Sequence, residues 1–298
     1  MDWDDLIRHT KRPLEALLAL ACLLGLAPAC KRERVVPRRG VPERIVPASA
    51  AALDYLHSLG LLDRVLAVPK VARQHARELP EAERGILELP AYRSEPILAL
   101  APDLVIAGSF QAAETHRALR RRGIRVHVLV PVSEFADVLR NVQELGRLLG
   151  LPERAARLGE RLRRGAEELR ASIREPRPRI LPYFNYGTGA WTAGAGTLDD
   201  ILIELAGGRN AARLWGVRAN RTLQIERVLA EPPDYILTGS GGQLEALRSS
   251  PGLARLAAVR KDRILVLPTK LRGASSPYLL EAARALRQEL RALEARHR

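Results

Sequence analysis

Eight side chains are equipped to grip a small molecule. Tyr92, Tyr186, Trp191 and Trp215 offer flat apolar surfaces, while Arg93, Arg218, Arg221 and Arg272 carry planar forks that fit carboxylate, phosphate or catecholate oxygens two at a time. They stand in short segments at the ends of apolar runs, among residues 69–75, 91–93, 108–111, 185–191, 215–221, 240–243 and 270–275. Aromatic faces for a bulky or planar body, with guanidinium groups for its oxygens, make binding chemistry. Covalent chemistry lacks its parts. The chain has no G-x-S-x-G, no H-E-x-x-H, no Cys pair and no G-x-x-x-x-G-K-[ST]. His57 and His116 fall in helical patterns, and His127 has no companion at ligand spacing. His75, beside the first of these segments, is the one histidine placed to reach a metal or haem iron; no metal centre and no cofactor are expected. The Gly-rich run "YGTGAWTAGAGTLDD" shapes a turn that admits a ligand and leads into a helix capped by Thr197. Asp199 and Asp200 at its end would repel a phosphate.

These residues need a scaffold, and an internal repeat describes one. "SEPILALAPDLVIAGS" (94–109) and "IERVLAEPPDYILTGS" (225–240) align without a gap, 131 residues apart, sharing Glu, Leu-Ala, Pro-Asp and Gly-Ser. Each reads as a short helix, a Pro-Asp break and a buried strand ending at Gly, with Ser94 as the expected cap of the first helix. Around the copies, "RIVPA" (44–48), "RVLAV" (64–68), "IRVHVLV" (124–130), "RILPYF" (179–184) and "DRILVLP" (262–268) are strand-like and alternate with helical patterns. The fold class is therefore α/β: two mainly parallel lobes, with ligand contacts at the carboxyl ends of their strands. Between them, residues 132–150 read as one helix ending at Gly150, and a second begins at Pro152 and stops at the Pro-rich "EPRPR". The second carries about twenty helical residues, or roughly 30 Å, enough to join one lobe to the other across a ligand cleft. The expected layout is an N-terminal lobe over 44–131, linking helices over 132–176 and a C-terminal lobe over 177–298.

The first thirty residues carry an address. "MDWDDLIRHTKRP" and "LEALLALACLLGLAPAC" follow the polar, apolar and small-residue order of an export signal over 1–29, too short to span a membrane. Cys30 then stands where a lipobox places its lipid-bearing cysteine. Cys22 falls inside the signal, so the mature chain keeps Cys30 alone and forms no internal disulfide. Residues 30–43 read as a tether. The formal charge of +14 invites a nucleic-acid partner, but only Lys11, Lys31, Lys70, Lys261 and Lys270 are lysines. The arginines are dispersed along helices, and no segment interleaves aromatics with bases, so no nucleic-acid partner is expected.

Taken together, "RIVPASAAALDYLHSLGLLDRVLAV", "EPILALAPDLVIA", "TLDDILIELAGGRN" and "ERVLAEPPDYIL" resemble the ABC-transporter substrate-binding proteins of the helical-backbone type, which serve iron–siderophore, haem and cobalamin importers. The resemblance covers nearly all of residues 44–290. It implies a periplasmic binding protein, not an enzyme, that hands a metal chelate to a dimeric permease. It also explains the repeat. Family members carry one acidic residue on each lobe for docking onto the two permease subunits, and by motif position these are Glu95 and Glu226. A first-turn glutamate also complements its helix dipole, so both roles are compatible. The mix of arginine with tyrosine and tryptophan leans toward an anionic iron chelate, a ferric siderophore or haem, with cobalamin as the alternative. A chelatase-like exported enzyme and an exported chelate scavenger without a transporter complete the set.

Overall fold

The computed structural model describes residues 40–76, 85–185, 187 and 189–297. The expected signal, Cys30, most of the tether and Tyr186 lie outside the described residues. The described residues form one compact unit. No helix among the described residues is long and apolar enough to cross a membrane.

In the N-terminal lobe, β1 (Ile45–Pro47), β4 (Leu104–Ala107) and β5 (Arg125–Val128) run parallel in the order β1-β4-β5. A parallel bridge between Ile45 and Val65 sets a second parallel pair, β2 (Ala67–Pro69) and β3 (Leu87–Leu89), alongside β1. The flanking helices are α1 (Ala50–Ser58), α2 (Lys70–His75), α3 (Ser94–Ala99) and α4 (Ala113–Arg121). Three local expectations change here. The strand expected over 64–68 begins later, because Leu62–Arg64 closes a 3₁₀ turn before β2. Residues 70–75 are helical rather than a loop, since α2 buries Ala72 in the core. Ser94 lies one position inside α3; Arg93 is the cap, and the Ser94 hydroxyl donates to the Glu95 carboxylate at 3.0 Å.

Two helices, α5 (Phe135–Leu148) and α6 (Pro152–Ala171), connect the lobes. They fold back on each other so closely that a Cβ on Gly146 would meet the Ala155 Cβ at 2.2 Å. The start of α5 is held by Asp137, whose Oδ2 accepts the Ser133 N–H at 2.9 Å, the Ser133 hydroxyl at 3.0 Å and the Glu134 N–H at 3.0 Å. Burial would raise this carboxyl, but those bonds and Arg140, at 2.8 Å, hold it below the usual carboxylate range. A depressed folded-state value stabilises the fold above the unfolded pKa of about 3.9 and fades as pH falls through the folded value. Asp137→Ala should cost about 1–2 kcal/mol at neutral pH. Thermal melts should show that the gap between the variant and the parent narrows at acid pH.

The C-terminal lobe is built on β6 (Arg179–Pro182), β9 (Arg209–Asn210), β11 (Tyr235–Thr238) and β12 (Ile264–Val266), parallel in the order β12-β11-β6-β9. Beyond the carboxyl end of β6 lie β7 (Phe184–Asn185), β8 (Ala190–Ala193) and β10 (Asn220–Thr222), antiparallel in the order β10-β8-β7. The helices are α7 (Leu198–Ala206), α8 (Ala211–Leu214), α9 (Ile225–Ala230), α10 (Gly242–Ser249), α11 (Ala257–Arg260), α12 (Thr269–Arg272) and α13 (Leu279–Arg296). Strand alternation divides the core cleanly. Ile180, Leu237 and Leu265 face a cluster continuous with Val142, Leu162 and Ile45, while Leu181, Ile236 and Ile264 face a second cluster with Val228 and Leu253. Both sheet faces are covered, as continuous apolar strands require. The main core thus runs through the linking helices from one lobe into the other. Two further ties join the lobes near α1: the Ser276 hydroxyl donates to Asp54 Oδ2 at 2.9 Å, and Tyr278 Oη lies 2.7 Å from His57 Nδ1.

The repeat recurs as matching structure. In each copy a six-residue helix with Glu in its second position, α3 or α9, precedes a fully buried four-residue strand, β4 or β11. The shared Pro-Asp has a structural use in both. Asp103 Oδ2 accepts the Arg44 N–H at 3.1 Å, and Asp234 Oδ2 accepts the Arg179 N–H at 2.7 Å, each fastening the start of the neighbouring strand. The guanidinium groups return the bond to the loop, Arg44 to Leu100 O at 2.7 Å and Arg179 to Pro232 O at 2.8 Å.

Candidate ligand-binding site

The sequence elements after β6 and β9 meet at the carboxyl edge of the C-terminal sheet. Backbone bonds lay residues 217–219 along residues 193–195: Gly194 N–H donates to Ala219 O and Ala195 N–H to Val217 O, both at 2.9 Å. This approach needs glycine, because a Cβ on Gly194 would stand 2.0 Å from the Val217 carbonyl oxygen. Asn210 locks the arrangement from beneath. Its Nδ2 donates to Ala193 O at 2.9 Å and to Asp200 Oδ1 at 3.1 Å, and its Oδ1 accepts the Ala212 N–H at 3.0 Å. Register then places Thr192 opposite Arg221 and Trp191 opposite Thr222.

The result is a cavity of about 580 Å³ walled by Thr192, Trp215, Arg218, Arg221, Gln224 and Arg227. Trp215 supplies an indole face. Arg218 and Arg221 are exposed, and among the described residues neither pairs with a carboxylate. Arg227 is bound to Glu231 at 2.9 Å. A cavity with an aromatic wall and two unpaired guanidinium groups suits an anion with an apolar body. Trp191 is half-buried in β8, not in a loop, and its buried indole N–H has no partner among the described residues.

Three of the expected contact residues, Trp215, Arg218 and Arg221, are brought together here. Arg272 is not. Its Nε and Nη2 donate to Asp199 Oδ1 and Oδ2 at 2.7 and 2.9 Å, its Nη1 to Tyr183 O at 2.9 Å, and it lies over the Phe184 ring at 5.7 Å. It ties α12 to the start of α7 with both side chains only 11% exposed. Asp199 and Asp200 are therefore each bound to an arginine, Asp200 accepting Arg213 at 3.2 Å. Tyr92 turns against α4, its ring edge-on to His116 at 5.9 Å. Burial pushes its phenol up to about 12, against the pull of Arg120. Arg93 is exposed at the cap of α3, and His75 is exposed at the end of α2. Among the described residues no group of three or more His, Cys, Asp and Glu side chains could hold a metal ion.

Glu95 and Glu226 are both exposed in the first turn of their helices. Its own backbone N–H, then the Ser94 hydroxyl and Arg93, hold the Glu95 carboxyl below the usual range, so it is ionised. Thr192, Gln224 and Arg227 were not anticipated as wall residues.

Known proteins share this architecture. The haem-binding protein RhuT of Roseiflexus sp. RS-1, described as a periplasmic protein in apo form, superposes with a TM-score of 0.71 at 26% identity, covering 84% of this chain and 100% of that one. An uncharacterized ABC transporter substrate-binding lipoprotein, YvrC of Bacillus subtilis (strain 168), is 22% identical over 84% of this chain and 80% of its own. The vitamin B12-binding protein of Yersinia pseudotuberculosis serotype O:3 (strain YPIII) is 24% identical over 83% of this chain and 86% of its own. The family model described as "Periplasmic binding protein" matches residues 45–271, and the chain belongs to that family, as a substrate-binding protein of the ABC-transporter type and not an enzyme.

Proposed function

We propose that this protein captures an iron chelate, a ferric siderophore or haem, in the periplasm and delivers it to an ABC permease. The observation that carries the reading is the C-lobe cavity, where the Trp215 indole stands beside the unpaired Arg218 and Arg221. Such a wall favours an anionic chelate over a neutral one. Trp191 and Tyr92 belong to the same proposal as lesser contacts, and Tyr92 would have to leave His116 to take part. The relatives that bind haem support the reading. The vitamin B12-binding relative supports a second one, a corrinoid ligand held mainly by aromatics.

Quenching of Trp191 and Trp215 fluorescence by ferric siderophores, hemin and cobalamin tests both readings. Saturable quenching by an iron chelate supports the first, and by cobalamin alone the second. No response to any of the three removes the ligand class.

Delivery needs a docking surface, and we assign it to Glu95 and Glu226, one on each lobe. Cys30 is proposed as the site of a lipid anchor after removal of residues 1–29. The double replacement Glu95→Ala, Glu226→Ala should leave chelate affinity within about twofold, because both side chains are exposed and neither lines the cavity. Uptake through the reconstituted importer should fall at least tenfold, the loss of two charge-assisted contacts. Undiminished uptake would remove Glu95 and Glu226 as the docking residues, and no uptake with the parent protein would favour an exported scavenger.

A further inference from the structure

We propose that the C-terminal lobe holds a second site, for a phosphate-class oxyanion, at the amino edge of its parallel sheet. A cavity of about 910 Å³ opens there between α13 and residues 172–178. Pro178, Asp234 and Arg263 in its wall directly precede β6, β11 and β12, whereas the Trp215 cavity lies beyond the carboxyl end of β6. About the length of a four-residue strand, roughly 13 Å, separates the two edges. The site is therefore independent of what the Trp215 cavity binds.

Its fixed point is Arg287 on α13, only 7% exposed. Arg287 Nε donates to Ala206 O at 3.1 Å, Nη2 to Leu205 O at 2.7 Å and Nη1 to the Ser172 hydroxyl. These bonds satisfy the last carbonyls of α7 and immobilise the guanidinium, yet each terminal nitrogen keeps an N–H unspent. Arg291 stands one turn further along α13. Burial first, and Arg291 second, hold the Arg287 pKa below the usual arginine value. Like charges at this spacing repel, and an anion between them would relieve both. Arg263 adds a buried Nε with no hydrogen-bond partner among the described residues, a donor without an acceptor. Arg174 is exposed in the same wall. Of these cations, Arg174, Arg263 and Arg291 pair with no carboxylate among the described residues. Glu175, Asp234 and Glu294 also reach the cavity, but five arginines face these three carboxylates and the wall stays cationic. The Tyr235 ring lies under the Arg263 guanidinium at 6.0 Å, so the wall is made of forks. Forks on several sides fit a compact, multiply charged oxyanion, whose oxygens accept them two at a time. A free phosphate or pyrophosphate and the phosphate headgroup of a lipid share that chemistry.

Titration calorimetry of the full chain with inorganic pyrophosphate tests the site. Arg263→Gln with Arg291→Gln should weaken binding at least tenfold. Arg287 keeps its structural bonds in that variant, and its melting temperature should stay near that of the parent. Arg161→Gln with Arg164→Gln removes the same charge from exposed positions on α6 and should leave affinity within about twofold. The binding lost with Arg263 and Arg291 should survive Arg218→Gln with Arg221→Gln, which alter the other cavity. Vesicles of phosphatidylcholine containing phosphatidic acid separate the two sources. Sedimentation above that seen with phosphatidylcholine alone, lost in Arg263→Gln, Arg291→Gln, assigns the anion to a lipid headgroup. Pyrophosphate binding without such sedimentation assigns it to a soluble phosphate. No binding of either probe, or equal losses in the two charge-matched pairs, overturns the site and leaves the importer reading intact.

Discussion

Arg272→Ala should cost the fold about 3–5 kcal/mol, the largest loss expected from a single side chain in this protein. The reason is the partner it leaves. Asp199 is only 11% exposed and receives both arms of the guanidinium, so truncation abandons a desolvated carboxylate at the start of α7. The helix dipole there offsets part of that charge, by about 0.3–1 kcal/mol. Tyr183 O loses its donor too, at the point where β6 gives way to the strands that carry the cavity. In a chain of this size each kcal/mol moves the melting temperature by about 2–4 °C, so a fall on the order of 10 °C is expected. The pair Arg272→Ala, Asp199→Ala should recover a large part of it, since no charge is then stranded. Arg218→Ala, by contrast, should melt within about a degree of the parent, because its guanidinium is exposed and has no ionic partner among the described residues. Equal stability of the Arg218 and Arg272 variants would show that Arg272 is not a structural arginine.

Gly194→Ala should disable the cavity. The new methyl would sit 2.0 Å from the Val217 carbonyl oxygen, which belongs to backbone and cannot swing aside. Relief requires residues 217–219 to move off β8, breaking the bonds between Gly194 N and Ala219 O and between Ala195 N and Val217 O. The stability cost should be about 3 kcal/mol, the upper range for overpacking. Binding should suffer more than stability does, because Trp215, Arg218 and Arg221 all ride on or beside the displaced segment. We expect chelate affinity to fall at least tenfold while far-UV circular dichroism stays near that of the parent. Gly196→Ala makes a useful control. Its φ of +77° strains the backbone, but its Cβ position is open, so it should cost about 1 kcal/mol and leave the cavity walls in place. An affinity loss in Gly196→Ala as large as in Gly194→Ala would mean that loop strain, and not the approach of Val217, governs the site.

These two glycines show how unequally the chain discloses its design. Both belong to "TAGAGT", and nothing in that run says which one touches another backbone. The arginines pose the same difficulty. Arg218, Arg221 and Arg272 are alike on paper, in an Arg-rich chain, and differ only in whether a carboxylate is brought to them. For Arg272 that carboxylate comes from 73 residues away. Tyr92 stands after a strand, where ligand contacts gather, yet its ring turns toward His116 on α4. Phe110 is 83% exposed in the loop after β4, and nothing in "GSFQ" distinguishes it from a buried aromatic.

What the amino-acid sequence determined by itself was the set of properties carried by near neighbours. The two helix–strand units, their first-turn glutamates, the alternation that makes the lobes α/β and the long connecting helix each arise from periods and caps a few residues long. The duplicated Pro-Asp is legible with them, but its use is not: each aspartate fastens the start of a strand 59 or 55 residues away. What the tertiary structure alone decided was pairing: which arginine meets an acid, which glycine meets a carbonyl, which aromatic faces solvent. Those outcomes turn on ångström distances between segments far apart in the chain, set by the packing of α7 on α13, α5 on α6 and β8 on β10. Composition is blind to such distances, and the ligand site is made of them.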